Sequence, residues 1–574
     1  MSDNDEIEDP ISPKPKSISR RRLMIALGFG AVNLGMLRKL PQLFKPDSTI
    51  STSSPSPNTP TTTVASTPST TTSPSASLEL PPVFDADLTV DPEGHTFDLV
   101  ISGGRVIDPE SGFDAQAQIG VDGDLITHIG FENLTGRNTI AATGLVVSPG
   151  FIDLLSYPTN GYGEWYKVAD GVTSNLCLHG IDYPMESFLS RGESIDPPIN
   201  YGGASDQSAH RGTLGAGIEY LSRVPGVSIE DLTDLADSDL RLGALGIHQQ
   251  PEYTIGVTEE EMIAHGVVAA EYGVPLCLHL RSGDTENLSN QEEAVEEALS
   301  VAEETGCRIH IEHLNSTGGT SRMSEAIEQI ESARSRGLSI TACAYPYSYW
   351  ATYAGTSRFD NFEEKFGITY NDLQVVGTSK RVTESEWPSI RSANLLTAAF
   401  AMSEEDITTA LKAPWMMIGS DAILQTSHNN HPRCAGSFSR ILGRYVREEK
   451  VLSLVDALSR MTALPSQLLG ECSFDMARRG RLQGGAIADI TIFDEGTILD
   501  NASIENPAQE STGVSYVVVG GQIVRANETN NRDARPGIPL LRDLTLLQVQ
   551  KFRTMSEELL GASLSFLSLE HFLF

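Results

Sequence analysis

Lysine is scarce in this 574-residue chain: ten of its 41 basic residues are lysine, set against 76 acidic residues, and the formal net charge is −35. That sign excludes binding of nucleic acid or anionic lipid through the body of the chain. Cysteine is also sparse. The six (Cys177, Cys277, Cys307, Cys343, Cys434, Cys472) are scattered without a CxxC spacing, which excludes a disulfide framework or a structural zinc knuckle and predicts small buried hydrophobes. Long apolar runs are lacking apart from Leu23 to Leu37, whose 15 residues sit at the short edge for a membrane span. No glycine-rich phosphate fingerprint follows the first strand-like segment, which argues against an open, doubly wound nucleotide-binding sheet.

The amino-terminal residues concern destination. "SRRRLM" (Ser19 to Met24) precedes the apolar run and resembles a twin-arginine export signal. Arg38 and Lys39 stand where a small-residue cleavage site would lie, so the segment 1–46 is expected to remain as a membrane anchor after export to the periplasmic side. From Asp47 to Ser77 the chain is mostly Ser, Thr and Pro, a composition that cannot bury a core; 47–95 reads as a tether.

Between Leu145 and Gly470 short apolar runs alternate with amphipathic stretches. "VPLCLHL" is followed by "NQEEAVEEALSVAEETG", and "IHIEHL" by "SEAIEQIESARSRG". Strands alternating with helices of that length imply parallel βαβ units, and a TIM-like (β/α)8 barrel is their economical closure, with the chemistry at the carboxyl ends of the strands. Side-chain alternation then sorts the faces. In "PLCLHLR" it sets Leu276, Leu278 and Leu280 outward and Cys277, His279 and Arg281 inward. In "NLCLH" it sets the leucines outward and Asn175, Cys177 and His179 inward. In "IHIEHL" it turns His310 and Glu312 inward, opposite Ile309 and Ile311.

Fragments along some 430 residues resemble the amidohydrolase superfamily, and within it the N-acyl-D-amino-acid deacylases (D-aminoacylases). They include "GLVVSPGFIDLLSYPTN", "GVPLCLHLRSGD", "IHIEHLNSTGG" and "APWMMIGSDAILQTSHNNHPR", flanked by the β-rich stretches Phe97 to Gly130 and Ala488 to Val524. The resemblance implies a barrel over 147–480, a small β-sandwich domain composed of 96–146 and 481–535, and a tail over 536–574. It also exposes departures. Where the superfamily has "GFIDxHxH", Leu155 and Tyr157 stand here, and neither leucine nor a neutral tyrosine is an ordinary ligand of zinc. The bridging cysteine of the family falls on Gly180, with His179 the preferred substitute over Cys177. A further family histidine falls on Tyr345.

The resemblance assigns a metal-binding histidine to His313, where alternation favours Glu312 as an oxygen ligand. It makes Asp421 a metal contact and the proton carrier, Arg433 the holder of the substrate carboxylate through its planar fork, and Tyr253 its helper. His428 and His431 lie in the same loop without an assigned role. The expectation is a hydrolase of linear amide C–N bonds acting on an N-acyl-D-amino acid or a related small amide. Water would be activated by a divalent metal, one zinc, on His313, His279, His179, Glu312 and Asp421. The alternative is an exported, metal-free binding or scaffold protein on a degenerate barrel.

Overall fold

The computed structural model describes residues 80–281, 291–426 and 429–543. The segment expected to be an export signal, most of the expected tether, His428 and the tail beyond residue 543 lie outside the described residues.

Eight parallel strands form the barrel. They are β1 (Phe151–Asp153), β2 (Val172–Cys177), β3 (Asn200–Gly203, resuming at Ser205–Asp206), β4 (Ile247–Gln249), β5 (Pro275–Leu278), β6 (Arg308–Ile311), β7 (Ile340–Ala344) and β8 (Met416–Ile418). Each pairs with the next in chain order. β3 is interrupted at Ala204, whose N–H donates to Cys177 O at 3.0 Å. The ring closes at the strand ends, where Asp421 N–H donates to Leu155 O at 2.7 Å and Ser420 N–H to Asp153 Oδ1 at 3.0 Å. A TIM barrel of this kind gathers every strand's carboxyl end on one face.

The outer helices form where local signals agree. Ile229–Arg241 starts at a reciprocal cap between Ser228 and Asp231 and buries Leu232, Ala236 and Leu240, one face at a spacing of four. Gln291–Thr305 and Met323–Ser335 are the two helices expected after β5 and β6. Their apolar residues join Leu276, Leu278, Ile309 and Ile311 in one shell around the barrel. All six cysteines are free and buried.

The β-domain is a nine-stranded sheet shared between Phe97–Pro149 and Ile490–Asn530. Val146–Pro149 and Ile490–Phe493 join the two halves as an antiparallel pair. Residues 80–95, grouped with the tether by composition, are seated against this domain: Phe84 N–H donates to Gly484 O, and Val90 N–H to Thr127 O. After the domain the chain returns to the barrel, where Leu540 N–H donates to Tyr201 O and Leu540 is fully buried.

The expected faces hold along β5 but not at Arg281 beyond it, whose Nε donates to Glu297 of the outer helix Gln291–Thr305 at 3.0 Å, and they fail on β2. Leu276, Leu278 and Leu280 do pack outward beneath the helices, and Cys277 lies inside with Cys343 and Met417. On β2 the order is reversed: Leu176 and Leu178 share the inner cluster with Leu155 and Cys277, while Cys177 packs with Met185 and Phe188 under the outer helix Met185–Ile195. The lower barrel is itself apolar, so leucine does not mark the outer face there. One body was not anticipated. Between β7 and β8 an antiparallel sheet of Trp350–Tyr353, Leu373–Val375 and Leu396–Ala399 encloses an aromatic cluster of Trp350, Phe359, Phe362 and Trp387.

Candidate metal and substrate site

The carboxyl ends of the strands enclose a cavity of about 110 Å³ lined by Tyr157, His179, Asp182, Gln250, Tyr253, His279, His313, Ala351, Thr352, Asp421 and Arg433. His279 follows β5 directly. His179 reaches the site although β2 turns its odd-numbered residues outward, because the strand ends at Cys177 and the chain bends at Gly180, φ +87°. No side chain fits at Gly180. A Cβ there would stand 2.6 Å from Asp206 Oδ2, so the position of the family's bridging cysteine is closed. After β6 the backbone at His313 enters the left-handed region, φ +27°, which brings both Glu312 and His313 to the site and reconciles alternation with the resemblance. His310 faces inward one layer lower, its Nδ1 2.9 Å from Thr341 Oγ1, and takes no part in the cavity lining.

Four of these residues offer donor atoms that all lie within 4.8 Å of one another: His179, His279, Glu312 and His313, every one buried. Glu312 is bracketed by two histidines. One carboxylate oxygen meets His179 Nδ1, and the other lies 2.9 Å from His248 Nδ1. Burial alone would raise Glu312; the charges and hydrogen bonds of His248 and His179 overcome it and hold the carboxyl well below its usual range. Burial similarly opposes protonation of His179, but Glu312 outweighs it and raises the imidazole from 6.5 to about 9. Burial and the neighbouring histidines push His313 well down. Burial also lowers His279, against the pull of Glu252. Both are thus neutral imidazoles, the form that binds metal. His279 Nε2 lies 2.7 Å from a Glu252 oxygen, while the other ring nitrogen, like His313 Nδ1, is buried without a partner. A carboxylate that orients a histidine while its second nitrogen stays free is the usual support of a metal ligand. Three imidazoles and one carboxylate fit a divalent cation of the zinc type.

The pH dependence follows from these shifts. In the metal-free protein His179 is raised from 6.5 to about 9, so its contribution to stability is complete below its unfolded pKa and is lost as pH rises through about 9. Thermal melts of the metal-free protein are expected to fall across that window. Melts with saturating zinc are expected to lose the decline, since the cation takes the place of the proton, and zinc affinity should strengthen over the same range. A metal-free melt that is flat or rising from pH 6.5 to 9 would count against the buried His179–Glu312 ion pair.

Asp421 stands beside the donor group rather than inside it. Its Oδ2 is 3.8 Å from His313 Nε2 and 2.8 Å from an Arg433 Nη, while Oδ1 is buried without a partner. Arg433 lies over the Tyr345 ring at 4.7 Å; its Nε and other Nη are also unpartnered. Tyr253 packs its ring 4.9 Å from that of His279 and lines the same cavity as Arg433, and burial raises its phenol to about 12. Tyr157 presents its ring edge-on to His179 at 5.4 Å, and burial and the charge of Asp421 hold it well above its usual range, so it is a neutral phenol. Leu155 packs inside the barrel, where a Cβ on Gly419 would meet it at 2.5 Å. His431 supports the loop by accepting from Arg433 N–H at 3.0 Å and stacking on Tyr349.

Sequence reasoning missed His248, Glu252, Asp182, Arg358 and Lys167. His248 carried a signal, since it sits in a strand beside inward-facing Cys277. Glu252 carried none. Its second partner, Arg358, arrives from the inserted sheet region and lies over the Trp350 ring at 4.3 Å.

With this geometry established, comparison with known proteins is decisive. The amidohydrolase family profile matches residues 228–525. An N-acyl-D-glutamate deacylase of Alcaligenes xylosoxydans xylosoxydans is 30% identical over 497 residues, spanning 79% of this chain and 99% of the relative. The chain belongs to the amidohydrolase family. A D-aminoacylase of the same organism is 27% identical over 473 residues, 75% of this amidohydrolase and 94% of the relative. Among solved structures, the N-acyl-D-glutamate deacylase from Bordetella bronchiseptica, complexed with zinc and a phosphonate inhibitor, superposes with a TM-score of 0.66 at 25% identity, covering 78% of this chain and 100% of that one. This amidohydrolase is a hydrolase of carbon–nitrogen bonds other than peptide bonds. The alternative of a metal-free binding protein finds no support among these relatives.

Proposed function

We propose that this amidohydrolase removes the acyl group from N-acyl-D-amino acids, with one zinc ion held by His179, His279, Glu312 and His313. The observation that carries the reading is that this buried donor group opens on the same cavity as Asp421 and Arg433. When bound there, zinc supplies polarisation of the amide carbonyl and a lowered pKa for water. One ion is favoured over two because Leu155, Tyr157 and Gly180 provide no further ligands.

The chain's own groups account for the remaining chemistry. Arg433 anchors one oxygen of Asp421, leaving Oδ1 to accept the proton of the attacking water and return it to the departing nitrogen. The unpartnered Arg433 donors and Tyr253 orient the substrate carboxylate, since a planar guanidinium pairs with it in two hydrogen bonds. Glu252 fixes the ring of His279, and the inserted sheet, through Ala351 and Thr352, limits access of bulk water. Arg20 to Arg22 and the apolar run after them support export with retention at the membrane.

The test combines metal analysis with turnover on the full chain. About one zinc per chain should be found, lost in His279→Ala and Glu312→Gln and bound about 10- to 100-fold more weakly in Glu252→Gln. Chelation should abolish hydrolysis of N-acetyl-D-amino acids, and zinc should restore it. A protein that binds no metal on reconstitution, or that prefers the L enantiomers, would overturn the reading.

A further inference from the structure

The cavity can be divided by use. His179, His279 and His313 belong to the donor group, Asp421 to proton movement, and Arg433 and Tyr253 to the substrate's α-carboxylate. Tyr157, Asp182, Gln250, Ala351 and Thr352 are the lining that remains for the side chain and the acyl group. None of these is cationic, and the one charged member is a carboxylate. Asp182 projects from the loop after β2 with a left-handed backbone, φ +60°, and remains exposed at the cavity mouth. Among the described residues nothing forms an ion pair or hydrogen bond with it. Burial raises the Asp182 carboxyl, and the charge of Asp206, the cap of the helix Gln207–Thr213, raises it further against the opposing pull of His179 and His248. Arg433 is the one guanidinium or ammonium group among the described residues of the lining, and it already faces Asp421.

From this we infer that Asp182 sets side-chain specificity: the site rejects N-acyl-D-amino acids with acidic side chains and favours neutral or basic ones. The inference rests on the deacylase reading and departs from the relative named for D-glutamate. A carboxylate entering this region would face Asp182 with no lysine or second arginine among the described lining residues to pair with it, and like-charge juxtaposition in a partly desolvated site is strongly unfavourable. A ligand ammonium in the same place would gain a partner.

The experiment uses the zinc-loaded full chain and three substrates: N-acetyl-D-glutamate, its near-isostere N-acetyl-D-glutamine, and Nα-acetyl-D-lysine. The expected result is a kcat/KM for the glutamate substrate about tenfold or more below that for the glutamine one, with the lysine substrate at least equal to glutamine. Asp182→Asn, a change tolerated at a left-handed position, should bring the Glu and Gln values together and reduce the preference for lysine. Wild-type protein that cleaves the glutamate substrate as well as the glutamine one, or a Gln/Glu ratio unchanged in Asp182→Asn, overturns the inference and leaves the deacylase reading standing. No turnover of any of the three overturns both.

Discussion

Replacing Asp421 with asparagine is expected to lower kcat/KM by about 100- to 10,000-fold while the barrel remains folded. The substitution is nearly isosteric and removes only the ability to take and return a proton. Asparagine also suits the backbone, since Asp421 sits at φ +52°, a region that Asn visits more readily than most residues. Alanine would confound the result by adding backbone strain. The N–H of residue 421 would still donate to Leu155 O, and an amide oxygen could still accept from Arg433. The cation should stay on the four residues of the donor group, which do not include Asp421. Steady-state kinetics, circular dichroism and elemental analysis of the same preparation check the three parts together. A folded, zinc-loaded Asp421→Asn variant with activity within about tenfold of wild type would remove Asp421 from proton transfer.

The largest effect on stability is expected from Lys167→Met, about 3–5 kcal/mol, the cost of removing one partner of a buried ion pair. Lys167 Nζ lies 2.5 Å from Asp153 Oδ2, and it donates to Ser420 Oγ and Ala422 O, each at 2.6 Å. Both charges are fully buried, so methionine would leave Asp153 with neither water nor cation. The same ammonium ties the helix Glu164–Ala169 to the ends of β1 and β8 and holds the residues on both sides of Asp421. Activity in the folded fraction should therefore fall as well. A lowered urea midpoint, with partial recovery in the double variant Lys167→Met/Asp153→Leu, is the expected signature. Recovery should be incomplete because Asp153 also accepts from Ser420 N–H. An unchanged midpoint would mean that the pair contributes nothing to holding the barrel closed.

Several features were determined by the sequence alone. The alternation of short strands with amphipathic helices was enough for the barrel, and the resemblance carried by the order of the motifs implied its split β-domain. Strand alternation brought His279 forward as a candidate, since it sits just beyond an apolar strand where barrel chemistry gathers, and the resemblance carried by the motifs brought His313, Asp421 and Arg433. The outward leucines of β5 were legible because a helix of matching pattern follows to cover them. On β2 the same rule inverted the faces, since inside and outside are both apolar and period-two alternation cannot tell them apart.

Only the tertiary structure decided how the charges are paired. Glu312 lies between His179 and His248, Glu252 between His279 and Arg358, and Lys167 against Asp153. Those partners come from different strands, from the inserted sheet region, or from opposite sides of the closing seam. Likewise, His313 joins Glu312 through a left-handed turn, and Gly180 excludes a side chain because Asp206 and His248 lie against it. Local patterning reports how a residue relates to its near neighbours in the chain. A buried charge, by contrast, is stabilised by whichever distant group the closed barrel brings within hydrogen-bonding distance.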